Sequence, residues 1–253
     1  MSKFIELASK KGIRLQTREA VVKEATENLA KKYNYTPVQV KMHFDELILE
    51  SEKEAYRVYR TYEQEYKKKV VQNFIDHLTK QGEITSTKDF SAVIIDYLED
   101  FDAFYLSISQ SRKSRAGKTF ENIHNGLFKI LSYPFDEQAV INGKPDFLMP
   151  SEAYYRKNPM DCIIFTAKRT LRERWRQIVT EGTRGLGFYL ATIDDKVSDI
   201  QLKEMLAHRI YLVVPDQIKK TYYPIADNVL NFKNFFEDSL DPAIERWKKR
   251  GVV

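Results

Sequence analysis

Cysteine is almost missing: the one thiol among 253 residues, Cys162, excludes an intramolecular disulfide and any cysteine-rich zinc site. Its neighbours Ile163, Ile164 and Phe165 mark it as a buried small hydrophobe. Histidine is scarce too, and His43, His77, His124 and His208 share no metal-ligand spacing. No apolar run approaches the roughly 18 residues of a membrane helix, and "MSKFIELASKKGIRLQ" lacks a signal-peptide pattern. The expectation is a cytoplasmic protein without a membrane partner. No internal repeat, low-complexity tract or linker interrupts the chain.

What is present supports a globular fold, since 43% hydrophobic residues can fill a sizeable core in one large domain or two small ones. The formal charge is only +5, yet the pI is near 9.0 and the cations cluster. Four of the seven residues in "RKSRAGK" (112–118) are basic, as are five of the nine in "KRTLRERWR" (168–176). Each run alone also fits a solvated helix face; together, flanking a carboxylate motif, they favour a polyanion partner.

The first hundred or so residues read as helical. "REAVVKEATENLAKKY" and the long stretch from Thr36 to Gly82 are rich in helix formers, with apolar residues recurring at three and four. Thr36 with Pro37 predicts a helix start, Gly82 a stop, and Ser86 or Thr87 a cap for "DFSAVIIDYLEDF". After about residue 140, the runs "DFLM", "CIIFTAK", "LGFYLATI" and "RIYLVVP" alternate with amphipathic stretches, which predicts an α/β core around a mixed or parallel sheet.

Cutting a phosphodiester needs an activated water, stabilisation of charge on the phosphorane and help for the departing oxygen, and a hard cation held by Asp or Glu serves all three. Asp146 follows Pro145 at the start of an apolar run, which places its carboxylate at a strand end. Lys168 ends "CIIFTAK", where strand alternation puts Thr166 and Lys168 on one side, Phe165 and Ala167 on the other. If the two strands pair, Asp146 and Lys168 meet. Beyond the lysine, Arg172, Glu173 and Arg174 have the chemistry to read G·C pairs, because arginine bridges guanine O6 and N7 and glutamate accepts from cytosine N4. Glu181, two turns further on, can return towards a metal. The competing reading is a salt-bridged helix with Trp175, Ile178 and Val179 facing the core. With carboxylates and no histidine cluster, the expected metal is Mg2+.

"RKSRAGKTFE", "KPDFLMPS", "TAK", "RERWRQI" and Glu181, in that order, resemble the signature of the EcoRII catalytic-domain and PspGI group of type II restriction endonucleases, within the PD-(D/E)xK nuclease superfamily. The resemblance implies a restriction-endonuclease-like α/β core, a central mixed sheet flanked by helices and preceded by a helical N-terminal region. Residues 1–105 would then be a helical region for DNA contact and dimerisation packed on the core, and residues 106–253 the nuclease core. It further implies that Asp146 binds metal, Lys168 is the catalytic lysine, Glu181 is a displaced second acidic ligand and Glu121 an additional one. Arg172, Glu173 and Arg174 would read the outer C·G pairs of a CCWGG or CCNGG palindrome, with cleavage leaving 5′ overhangs. Arg112, Lys113, Arg115 and Lys118 would contact DNA, with Lys113 and Lys118 on the phosphate backbone.

The resemblance also implies a homodimer on double-stranded DNA, with part of the helical region or "NFFEDSLDPAIERWKKR" (234–250) at the interface, and a cognate cytosine DNA methyltransferase as functional partner. Some members flip central bases, and "YRVYRTYE" offers Arg57, Tyr59, Arg60 and Tyr62 for a pocket; a core stripe with snorkelling arginines is the competing reading. EcoRII itself carries an effector domain before its nuclease, which the helical leader here does not resemble, so PspGI-like behaviour without autoinhibition is expected. Two rivals remain: another PD-(D/E)xK nuclease that binds by shape, and a non-catalytic regulator suggested by the helix-turn-helix-like "REAVVKEATENLAKKYNYTPVQVKMHF".

Overall fold

A computed structural model of the chain describes residues 2–33, 36–141, 143–171 and 187–253. They fall into two compact units, Met1–Leu29 with Lys53–Lys118, and Ala30–Glu52 with Thr119–Val253.

The first unit is helical. It contains α1 (Lys3–Lys10), α2 (Arg18–Lys32) up to Leu29, α4 (Phe44–Lys80) from Lys53 onward, α5 (Thr87–Asp96) and α6 (Leu98–Ile130) as far as Lys118. Phe4, Val70, Phe74, Leu78, Val93, Phe104 and Ile108 form its main core, with the Phe4 ring stacked on Phe74 at 3.9 Å. The local signals act as chemistry dictates. Gly82, at φ +78°, takes the left-handed turn after α4 that a side chain resists. Ser86 caps α5 in a reciprocal box with Asp89. Glu63 is fully buried and would be driven up in pKa by that burial, yet the Arg112, Lys67 and Tyr59 groups around it hold it down at about 2.

The second unit holds, among the described residues, a six-stranded sheet in the order β1-β2-β3-β4-β5-β6. The strands are β1 (Asp136–Glu137), β2 (Phe147–Met149), β3 (Ile163–Ala167), β4 (Gly187–Ala191), β5 (Ile210–Val214) and β6 (Val229–Asn231). β1, β2 and β3 pair antiparallel, and β3 to β6 parallel, so the sheet is mixed. Alternation along each strand splits two cores. Phe147, Met149, Ile163, Phe165, Ala167, Tyr189 and Val213 face one way; Leu148, Ile164, Phe188, Leu190, Leu212 and Val214 face the other. The first face is covered by α3 (Pro37–Met42), the start of α4, the end of α6 and the C-terminal helices; the second by α8 (Asp199–Ala207) and the chain around Tyr223. Cys162 lies in the second core, where burial pushes its thiol up to about 12.

The stretch from Thr36 to Gly82, which the pattern reads as helical throughout, is broken at His43. That residue caps α3, and its carbonyl accepts from Leu47 to begin α4. Val40 and Phe44 thereby both reach the core. After the short α7 (Glu152–Tyr155) and α8 come α9 (Asp216–Tyr222), α10 (Phe232–Phe235) and α11 (Asp241–Lys249), with a π-helical turn over Phe236–Leu240. In the 234–250 segment, Phe235, Phe236, Leu240, Ala243, Ile244 and Trp247 are buried within this unit, and Trp247 donates through Nε1 to Asp161 O. Its apolar side is therefore used in the core of this unit.

Candidate active site

The end of β3 and the residue before β2 come together because the strands pair in the register Phe147 opposite Phe165. One step beyond that pair, the Asp146 carboxylate is buried at 3% exposure and accepts the Ala167 N–H on Oδ2 at 2.9 Å. Lys168 Nζ stands 3.0 Å from Oδ2 and 3.3 Å from Oδ1 of the same group. Lys168 is fixed through its own N–H, which donates to Ala191 O on β4. Its side chain keeps 32% exposure, so the ammonium both pairs with Asp146 and reaches solvent.

Glu121 arrives from α6, and the link to Asp146 is a residue the sequence reading passed over. Gln138 follows β1 and lies opposite Asp146, one step past the Glu137–Phe147 pair. Its Nε2 donates to Asp146 Oδ1 at 3.0 Å and to Glu121 Oε1 at 3.1 Å. Pairing "DEQ" with "DFLM" as a hairpin is the signal that would have found it.

Two carboxylates therefore converge on one point with a lysine beside them, a set of hard oxygen donors that suits a small divalent cation. Among the described residues no three acidic, histidine or cysteine side chains cluster tightly enough to hold a metal by themselves. Glu181, the third expected ligand, lies outside the described residues, as do Arg172, Glu173 and Arg174.

His124, one turn after Glu121, is fully buried among Phe44, Phe120, Phe128, Phe165 and Phe232. Nδ1 donates to Phe120 O at 2.8 Å, while burial pushes the imidazole down to about 4. It is a neutral residue packed among aromatic rings. A second missed feature is Arg169, directly after the lysine, which pairs through Nε with Glu52 at 2.8 Å; burial raises the Glu52 carboxyl.

The remaining candidates lie in the helical unit. Arg112 forks onto Glu63 with both bonds at 2.5 Å. Arg115 donates to Gln16 O at 2.7 Å and stacks over Tyr59. Lys113 is exposed and Lys118 half-buried. Of the pocket candidates, Tyr59 is buried at 6% exposure, Tyr62 donates to Glu24, Arg57 forks onto Glu54 and Arg60 pairs with Glu63. Each of the three polar ones is thus held by a carboxylate of its own unit.

Comparison with known proteins bears on the whole chain. A family model described as EcoRII C terminal matches residues 78–236. The type II restriction enzyme SsoII of Shigella sonnei is 30% identical over 218 residues, 81% of this chain and 69% of that protein. The type II restriction enzyme EcoRII of Escherichia coli is 35% identical over 131 residues, 49% of this chain but only 32% of EcoRII. Metal-depleted Ecl18kI in complex with uncleaved, modified DNA superimposes with a TM-score of 0.81 at 26% identity, over 99% of this chain and 85% of that one. The PspGI–substrate DNA complex shares the fold, with a TM-score of 0.62 at 20% identity over 92% and 94% of the two chains. Among the described residues, no helix is long and apolar enough to cross a membrane.

Proposed function

The chain belongs to the EcoRII C-terminal family of type II restriction endonucleases, which are site-specific deoxyribonucleases, and from that membership we propose that it makes a magnesium-dependent double-strand cut at a palindrome of the form CC-(W or N)-GG, leaving 5′ overhangs. The observation that carries the reading is the convergence of Asp146, Glu121 and Lys168 at the ends of β2 and β3.

Asp146 and Glu121, with Glu181, would hold Mg2+, which supplies Lewis-acid stabilisation of the phosphorane and a water acidified for attack. The protein residues do the rest. The Ala167 N–H and Lys168 fix the Asp146 carboxylate in one orientation, so no reorganisation is needed as charge develops. Lys168 extends from that pair to orient the attacking water and neutralise the scissile phosphate. Arg172, Glu173 and Arg174 read the outer C·G pairs from the major groove. Residues 1–105 serve DNA contact and dimerisation, and residues 106–253 carry the cutting core.

Related partners follow from the same reading. A twofold cut takes two copies of the chain, and protection of the host site takes a cytosine DNA methyltransferase acting in the cytoplasm alongside it. Extrusion of a central base towards Tyr62 requires Glu24 on α2 to release its hydroxyl, and towards Tyr59 requires Arg115 on α6 to leave the ring.

Incubation with plasmid and Mg2+ tests the assignment. Discrete fragments that vanish on adding EDTA are expected. A smear would point to a shape-selective nuclease, and retardation without cleavage to a binding protein.

A further inference from the structure

Gln138 sits in the left-handed region at φ +54°, and its N–H donates to Asp146 O at 3.2 Å. Its backbone is thus pinned opposite Asp146, and whatever adapts at this point is the side chain.

Donors crowd the Asp146 carboxylate. Oδ2 takes the Ala167 N–H at 2.9 Å and Lys168 Nζ at 3.0 Å, while Oδ1 takes Gln138 Nε2 at 3.0 Å and faces Lys168 at 3.3 Å. A carboxylate offers about four acceptor positions, so a cation reaching Asp146 displaces one of these donors. The Ala167 N–H belongs to the end of β3 and stays where the strand puts it. Lys168 is the residue placed at the phosphate. Only the Gln138 amide has a soft terminal torsion, broad and roughly twofold in its preference. Half a turn about it replaces the NH2 with the carbonyl. The movement that clears Asp146 Oδ1 and Glu121 Oε1 of their shared donor therefore presents a neutral oxygen to the same point, and side-chain amide oxygens are ordinary ligands for hard cations.

We propose that Gln138 belongs to the cation site and contributes its side-chain carbonyl to the ion held between Asp146 and Glu121. The inference rests on reading those two carboxylates as cation ligands, and its test separates the two ideas.

Binding of Mn2+ to the full-length protein, with free Mn2+ counted by electron paramagnetic resonance, is measured for the wild type, Gln138→Met, Gln138→Glu and Asp146→Ala. Methionine keeps the length of the side chain without its oxygen, and glutamate offers oxygen at either end. Gln138→Met is expected to weaken Mn2+ binding about tenfold or more, the scale found for groups that support a metal site, and Gln138→Glu to bind at least as tightly as the wild type. The rise in melting temperature on adding Mn2+, taken against each variant's own EDTA baseline, shrinks in Gln138→Met; a purely structural glutamine would lower both baselines and leave the rise intact. Asp146→Ala that binds like the wild type would overturn the site itself. Asp146→Ala that loses binding while Gln138→Met keeps or tightens it would overturn the role of Gln138 alone.

Discussion

Asp146 and Lys168 are 22 positions apart in the chain and 3.0 Å apart in space. A carboxylate at 3% exposure is stabilised here by the Ala167 N–H, the Gln138 amide and the Lys168 ammonium, so removing the carboxylate or the ammonium leaves the other without its charge partner. Asp146→Ala and Lys168→Ala should each lower Mg2+-dependent cleavage by about 10²-fold or more while DNA affinity is retained. Single-turnover cleavage alongside gel retardation checks this, and wild-type cleavage in either variant would mean the site is elsewhere. At the same scale the basic run 112–118 divides. Arg112 neutralises Glu63, so Arg112→Ala should destabilise the fold by about 1–3 kcal/mol in urea unfolding. Exposed Lys113 has no such task, and Lys113→Ala should weaken binding to all sequences and flatten the salt dependence by about one phosphate contact.

At the scale of elements, the four apolar runs after residue 140 became β2, β3, β4 and β5, because period-two burial on both faces leaves a plain mark in sequence. β1 left none: two exposed residues, Asp136 and Glu137, carry no apolar alternation, and with β1 unseen Gln138 could not be placed opposite Asp146. The positions of Asp146 and Lys168 were legible because strand ends are local features. The buried partners Glu52 and Glu63 were not, since their neighbours arrive from 117 and 49 positions away. Asp45 is another such case. Its Oδ1 accepts the N–H of Asp216, at the start of α9, and of Phe232, at the start of α10. Burial raises the carboxyl from 3.8 to about 6. The folded form therefore holds its proton more tightly than the unfolded chain. Its favourable contribution is complete below about pH 4 and is lost as pH rises through 6. Asp45→Asn keeps the accepting oxygen and removes the charge, so it should stabilise by about 1–3 kcal/mol at pH 8 and by nothing at pH 4. Urea unfolding at both pH values checks the sign, and equal effects at the two would refute it.

For the whole molecule, one chain offers one Asp146–Lys168 pair, and a palindromic double-strand cut calls for two related by a dyad. Light scattering of the protein on its DNA should give two copies per duplex; one copy would contradict the dimer. Sequencing the ends of digested plasmid DNA tests the cutting site and the base-reading element together. Ends confined to sites with outer C·G pairs around a W or N centre are expected, with 5′ overhangs spanning the site, and about 10²-fold fewer of them or less from Lys168→Ala at equal digestion time. Ends scattered without outer C·G pairs, or as many ends from Lys168→Ala as from the wild type, would be the opposite result.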